Sequence, residues 1–272
     1  MEMETNEIVL RKSTKKGGLN APVTIVILIL IALGIFYGLF GSTDNFDGGT
    51  TDGHPRNFMG IIYKGGVIIP FLMSFFLMVI VFGIDRLFAL VKASGKGNLT
   101  KFVDNIRDLV SRNQINEALE LCDQQQGSVG NVVKEGLTTY KALSNDTSMN
   151  KEQKLIELNK TLEEAMTLEM PALEKNTAII STIASIGTLI ALMGTVIGMI
   201  KAFFALGEGG GTPDAAKLSV GIAEALINTG MGIGASAIAI VVYNMITNKI
   251  DDLTFKIDEV GMSIQQSFAS HH

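Results

Sequence analysis

The chain has 272 residues, 47% of them hydrophobic and 18% charged, with a mean hydropathy of +0.34, which is too apolar for an ordinary soluble domain and excludes a soluble enzyme. Its 22 basic and 27 acidic side chains (net charge −5) give no nucleic-acid partner. One cysteine, Cys122, and three histidines, His54, His271 and His272, offer no internal disulfide, no metal cluster and no cofactor site, and the last two histidines read as the remnant of an affinity tag.

Four uncharged runs, 17–43, 65–84, 176–200 and 225–248, each exceed the roughly 18 residues that mark a membrane-span candidate. The expected fold is therefore all-α. It is a polytopic membrane protein with four transmembrane helices, the third and fourth long and extending into a cytoplasmic helical domain. In chain order the divisions are an N-terminal tail (1–18), a first span (19–41), an outward loop (42–64) and a second span (65–90). A cytoplasmic helical domain (91–175), a third span (176–206), an outward turn (207–217), a fourth span (218–247) and a cytoplasmic tail (248–272) follow.

The first span, APVTIVILILIALGIFYGLF, is longer than the ~7–15 residue core of a signal peptide, and no A-x-A site follows it, so it reads as a retained anchor. Arg11, Lys12, Lys15 and Lys16 precede it, and Arg86, Lys92, Lys96 and Lys101 follow the second span. The first connection holds only Arg56 and Lys64, and GEGGGTPDAA has no basic residue. The positive-inside rule then puts both termini in the cytoplasm.

In the cytoplasmic segment, Phe102, Ile106, Leu109 and Val110 predict one helix and residues 132–143 another. Leu155, Leu158, Leu162 and Ala165 recur at three- and four-residue steps, the mark of an amphipathic helix, with Pro171 placed to kink it. The charged faces of these helices read as solvated surface.

The third span carries Gly187, Ala191, Gly194 and Gly198 on one face, a small-residue stripe that lets another helix approach closely. Beside it runs a hydroxyl line of Ser181, Ser185, Thr188 and Thr195. Such hydroxyls either bond back to their own helix carbonyls or line a polar path. The fourth span adds Glu224, Asn228 and Thr229, followed by Gly230, Gly232 and Gly234. Glu224 and Asn228 share a face, while Thr229 lies about 140° round from Glu224, so these groups address more than one neighbour. Gly-x-Gly-x-Gly has the wrong spacing and context for a nucleotide fingerprint and reads as helix packing, chiefly through Gly230 and Gly234. A charge at the bilayer centre costs about 2.5–3.5 kcal/mol on insertion scales. Glu224 is either hydrated near the outer interface or turned into a bundle interior where it can exchange a proton.

LIALMGTVIGMIKAFFALG (189–207) followed by SVGIAEALINTGMGIGASAIAIVVYN (219–244) resembles the ExbB/TolQ branch of the MotA/TolQ/ExbB proton-channel family. The resemblance implies an inner-membrane homopentameric ring whose third and fourth spans line a pore. That pore would hold the single-pass helices of an ExbD/TolR-like partner, two copies of it, each with a transmembrane Asp. Proton flow would drive motion passed to a TonB-like or Tol protein. Thr195, Glu224 and Thr229 match the family's pore-lining polar residues, and Tyr243 and Asn244 its closing pair; Thr188 and Asn228 extend the polar set. Three features depart from the pattern. There is an extra N-terminal span with an enlarged outward loop, Ile238 stands where a proline is common, and Lys201 stands where a neutral polar residue is usual. Lys201 either snorkels to the outer interface or pairs with Glu208. A secondary transporter would carry matching broken helices in its two halves, and spans one and two share no polar pattern with three and four. A non-conducting scaffold remains the other reading.

Overall fold

The computed structural model describes residues 19–51, 53–207 and 215–271. The tail carrying Arg11, Lys12, Lys15 and Lys16, most of the 207–217 turn including Glu208, and His272 lie outside the described residues.

Among the described residues the regular structure is helical. Helices α1 (Ala21–Gly34), α2 (Phe58–Tyr63) and α3 (Ile69–Ala93) form the first third of the chain. Four helices of the 91–175 segment follow: α4 (Leu99–Ser111), α5 (Ile115–Gln125), α6 (Gly127–Asn145) and α7 (Lys151–Leu173). Two long helices complete the fold, α8 (Thr177–Gly207) and α9 (Ala215–His271). Four helices are long and apolar enough to cross a bilayer: Ala21–Phe40, Ile69–Ala93, Thr177–Phe204 and the helix Lys217–His271.

Helix α9 organises everything else. Its 57 residues extend about 86 Å at 1.5 Å per residue, far beyond a ~30 Å hydrocarbon core. The segment read as a cytoplasmic tail from 248 onward is an unbroken continuation of this helix. The reason lies in its lower half, where Ile246, Ile250, Leu253, Ile257, Val260, Ile264 and Phe268 recur at three- and four-residue steps and are all buried. That stripe packs against α4, α6 and α7, and Phe268 meets Tyr140 edge-to-face at 4.9 Å. The upper half packs on α8 and α3. Ile238, where a proline would have bent it, lies within the continuous helix.

The helices between α3 and α8 follow their sequence signals. Asn98 caps α4 by accepting from the amides of Thr100 and Lys101, and Asn150 and Gln153 form a capping box at the start of α7. Helix α5 was not expected from the sequence, and Pro171 does not kink α7. It falls in the last turn, and the helix ends two residues later at Leu173.

Two joints tie this bundle to the spans. At the first, Lys96 N–H donates to the Gln125 carbonyl at 2.7 Å, and the Gln125 amide donates to the Ser94 carbonyl at 2.8 Å. Gly95 (φ +83°) and Gly127 (φ +75°) touch there, and a side chain at either would overlap the other turn. At the second, Arg86 of α3 is 1% exposed, ion-paired to Asp85 at 2.6 Å, and its guanidinium reaches the Ala172 carbonyl at the end of α7 at 3.4 Å. Arg86, counted in the sequence among the cations flanking span two, is therefore a buried structural group.

The 42–64 loop is more ordered than its Gly/Asp-rich composition predicts. Asn45 is buried, and its amide donates to the carbonyls of Leu39 (2.8 Å) and Phe40 (3.0 Å), satisfying groups left open where the first span ends. Asn57 donates to Asn45 at 2.8 Å and accepts from Gly60 N–H, capping α2. Phe46, 1% exposed, is sealed beneath Tyr63, and Tyr63 stacks on Phe36 of the first span at 4.8 Å. Arg56 pairs with Asp47 at 3.1 Å.

Candidate functional site in the paired spans α8 and α9

Helices α8 and α9 run antiparallel in close contact, and their small residues set the distance. Gly187, Ala191, Gly194 and Gly198 are all buried, and each meets α9. A Cβ at Gly187 would come within 2.6 Å of Ser236 Oγ, and one at Gly198 within 2.9 Å of the Ala225 amide nitrogen. Nearer the helix ends Gly221 lies against Ala202 in the same way, with 2.9 Å available to an added Cβ. On α9 the closest approach is Gly232, where a Cβ would overlap the methyl of Ala191. Of the two glycines expected to pack, Gly230 is exposed with open space around it, whereas Gly234 packs on α3, with Phe76 3.3 Å from an added Cβ. Residues 230 and 232 lie about 200° apart round a helix, so only one can face α8.

Interhelical polar contacts ride on this seam. Thr195 and Thr229 share a hydroxyl–hydroxyl hydrogen bond. Each also sits 3.1 Å from the carbonyl four residues back, Ala191 and Ala225 respectively. Thr188 donates to Ser236 at 3.0 Å, while Ser185 bonds back to the Ser181 carbonyl at 3.3 Å. The hydroxyl line thus divides: Thr188 and Thr195 reach across to α9, and Ser185 stays on its own helix.

Glu224 is 7% exposed and faces inward. Its Oε1 accepts from Lys201 Nζ at 2.6 Å, with the Lys201 side chain 54% exposed. Lys201 therefore takes Glu224, one helix away, as its partner. The same oxygen lies under the backbone of Gly66, at the α2–α3 turn with φ +78°, where a Cβ would overlap the carboxylate. A left-handed conformation and this close approach both demand glycine. The roof over Glu224 thus comes from the α2–α3 turn, a connection the sequence did not disclose.

Asn228, one turn further along α9, is 0% exposed. Its side chain lies against Gly194, where a Cβ would come within 2.7 Å of Asn228 Cβ. Neither its Nδ2 nor its Oδ1 has a hydrogen-bond partner among the described residues. Glu224, Asn228 and Thr229 each meet α8, and Glu224 also meets the α2–α3 turn. Asn228 is enclosed within the subunit, so it does not line an open surface of the single chain. Tyr243 packs half-buried against the main core, and Asn244 is exposed.

An all-helical chain with four apolar helices and a carboxylate–ammonium pair embedded where two of them meet defines a multi-pass membrane protein with a polar site inside its spans. The chain belongs to the MotA/TolQ/ExbB proton channel family, whose model matches residues 124–259. It is 26% identical over 218 residues to a putative biopolymer transport protein ExbB homolog of Methanothermobacter thermautotrophicus, covering 78% of this chain and 72% of that protein. It is 37% identical over 87 residues to the Tol-Pal system protein TolQ of Haemophilus influenzae, covering 32% of this chain and 38% of that protein. Over 87 residues it is also 38% identical to a putative biopolymer transport protein ExbB-like 2 of Helicobacter pylori, covering 57% of that protein. The chain thus spans 38% and 57% of the length of these two bacterial relatives. These relatives support the ExbB/TolQ branch.

Proposed function

We propose that the chain is the channel-forming subunit of a proton-driven motor in the cytoplasmic membrane. Five copies would form a ring around the transmembrane helices of an ExbD/TolR-like partner, two copies of it, each carrying an Asp. Proton passage would drive motion handed to a TonB-like or Tol protein. The observation that carries this reading is the inward-facing Glu224 paired with Lys201 between two spans whose seam also holds Thr195–Thr229. A carboxylate inside apolar helices is retained for a purpose, because burying charge is otherwise unfavourable. The broad apolar face left outside the seam, with Leu192, Val196 and Phe203 on α8 and Leu226, Ile233 and Val241 on α9, suits lipid and neighbouring copies.

Only bonds to hydrogen are exchanged in this function; the work is proton movement and rearrangement of helices. Glu224 would supply the titratable or charge-pairing group, and Thr195 and Thr229 hydroxyls able both to donate and to accept. The decisive experiment is co-expression with a partner that has one N-terminal span carrying an Asp, followed by an activity assay of the energised envelope system. Glu224→Gln is expected to assemble at wild-type stoichiometry by native mass spectrometry and to be inactive. Full activity would confine Glu224 to packing.

One observation favours a second reading, a non-conducting scaffold: Thr188 and Thr195 use their hydroxyls within the subunit, as structural groups do. A scaffold would retain function when Thr195, Glu224 and Thr229 are all replaced, since the small-residue seam would persist.

A further inference from the structure

We infer that Glu224 is a two-position switch, with Lys201 as its outer partner and Asn228 as its inner one. What the switch is for rests on the channel reading; that it exists does not.

In the structure the carboxylate occupies the outer position, with Oε1 2.6 Å from Lys201 Nζ and pressed beneath Gly66. Asn228 then pays the penalty. It is fully enclosed, and both ends of its amide lack a partner among the described residues. Buried amides are satisfied in the great majority of folded proteins, so an orphaned one calls for a specific explanation. Of the positions three and four residues away from Asn228 on α9, namely 224, 225, 231 and 232, only Glu224 is polar. Side chains four apart on a helix do form hydrogen bonds, and the Cα–Cβ bond of Asn228 tilts toward the helix N-terminus, which is the direction of Glu224. From the facing helix, Gly194 presents no side chain at that level.

Rotation of Glu224 about its own side-chain bonds would exchange Lys201 for Asn228 Nδ2. The two positions are complementary. With the carboxylate outward, the ammonium is paired and the amide orphaned. With it inward, the amide is paired and the ammonium, on a side chain 54% exposed, is released from the carboxylate. Gly66 holds the outer position closed from the loop side. Lys201 and Asn228 are thus positioning residues acting through Glu224, and in the channel reading the inward position delivers the carboxylate toward the Thr195–Thr229 level of the seam.

Infrared spectroscopy of the purified protein in lipid vesicles tests this, with the Glu224 carboxyl bands assigned by their loss in Glu224→Gln. Lys201→Met is expected to shift those bands as the side chain moves inward, and adding Asn228→Ala to shift them a second time. Identical bands in the single and double variants overturn the inner position; Lys201→Gln serves if Lys201→Met does not fold. Proton flux into vesicles that hold the chain together with its Asp-bearing single-span partner is expected to fall at least fivefold in Asn228→Ala with no drop in melting temperature. A matching loss of melting temperature would make Asn228 a packing residue and overturn the switch. Wild-type vesicles of the two subunits that pass no protons, with both band shifts present, would fail the channel reading and leave the switch standing.

Discussion

Thr195 and Thr229 face each other across the α8–α9 seam, joined hydroxyl to hydroxyl, while each also lies 3.1 Å from a carbonyl of its own helix. Two hydroxyls carry two protons, yet three contacts are in place. One threonine therefore donates to its partner and the other donates backward, and reversing both rotors gives an equivalent arrangement. Such a pair can pass polarity along the seam without moving either helix. Thr195→Val leaves Thr229 its backward bond, so a stability loss of only about 0.5–1.5 kcal/mol is expected. Energised transport, assayed in cells, should fall much further than thermal unfolding in detergent would explain. Equal losses in both would reduce the pair to a structural bond.

The glycine seam yields a sharper contrast. Gly232 has no room for a Cβ against Ala191, whereas Gly230 has open space. Gly232→Val should force α8 and α9 apart and destabilise the subunit by about 1–3 kcal/mol or more, as overpacking does. Gly230→Ala should leave the melting temperature of the isolated subunit unchanged or raised, because alanine favours helix. Size-exclusion chromatography alongside the melt separates a subunit defect from an assembly defect.

These contrasts also mark what could be read before the structure. The four spans were legible because uncharged runs of that length have few other uses, and Glu224 stood out as a charge within one. The small-residue stripe of α8 was legible too, since one period fixes which residues share a face. Its partner on α9 was not. Three glycines at alternate positions point in opposing directions, and only the packing against Ala191 selects Gly232. Lys201 and Glu224 lie 23 positions apart on separate helices, so their pairing depends on interhelical register rather than on local pattern. Helix α5 escaped because its buried face is built from Ile115, Ala118, Cys122 and Gln125, a weak apolar stripe. The 42–64 loop escaped because its order comes from Asn45 and Asn57, residue types equally at home in an irregular turn.

Arg86 and Asp85 make a further prediction. The guanidinium is 1% exposed and the carboxylate 18%, paired at 2.6 Å. Removing only the acid leaves a buried charge supported by the distant Ala172 carbonyl, and a loss of about 3–5 kcal/mol follows for Asp85→Ala. Replacing both, as Arg86→Met with Asp85→Ala, should recover most of that, since an apolar pair of similar volume has no charge to desolvate. A double-mutant cycle by thermal unfolding in detergent measures the difference. Additive losses would mean that the two residues do not act as a pair.

Cys122 gives the pH dependence. Its thiol is pushed up to about 12, mainly by burial, with the neighbouring Asp123 adding to the effect and Lys134 opposing it. The ordinary value is 9.0, so the folded protein favours the neutral thiol more than the unfolded chain does. The resulting stability is fully present below about pH 9 and is lost as pH rises toward 12. Two measurements follow. At pH 8 a soluble disulfide reagent should label native protein orders of magnitude more slowly than unfolded chain, because the thiolate is the reactive form. Cys122→Ala should flatten the decline of melting temperature between pH 9 and the highest pH at which the protein remains folded. Rapid labelling at pH 8 without unfolding would show that the α5–α6 packing opens and would remove the basis for that decline.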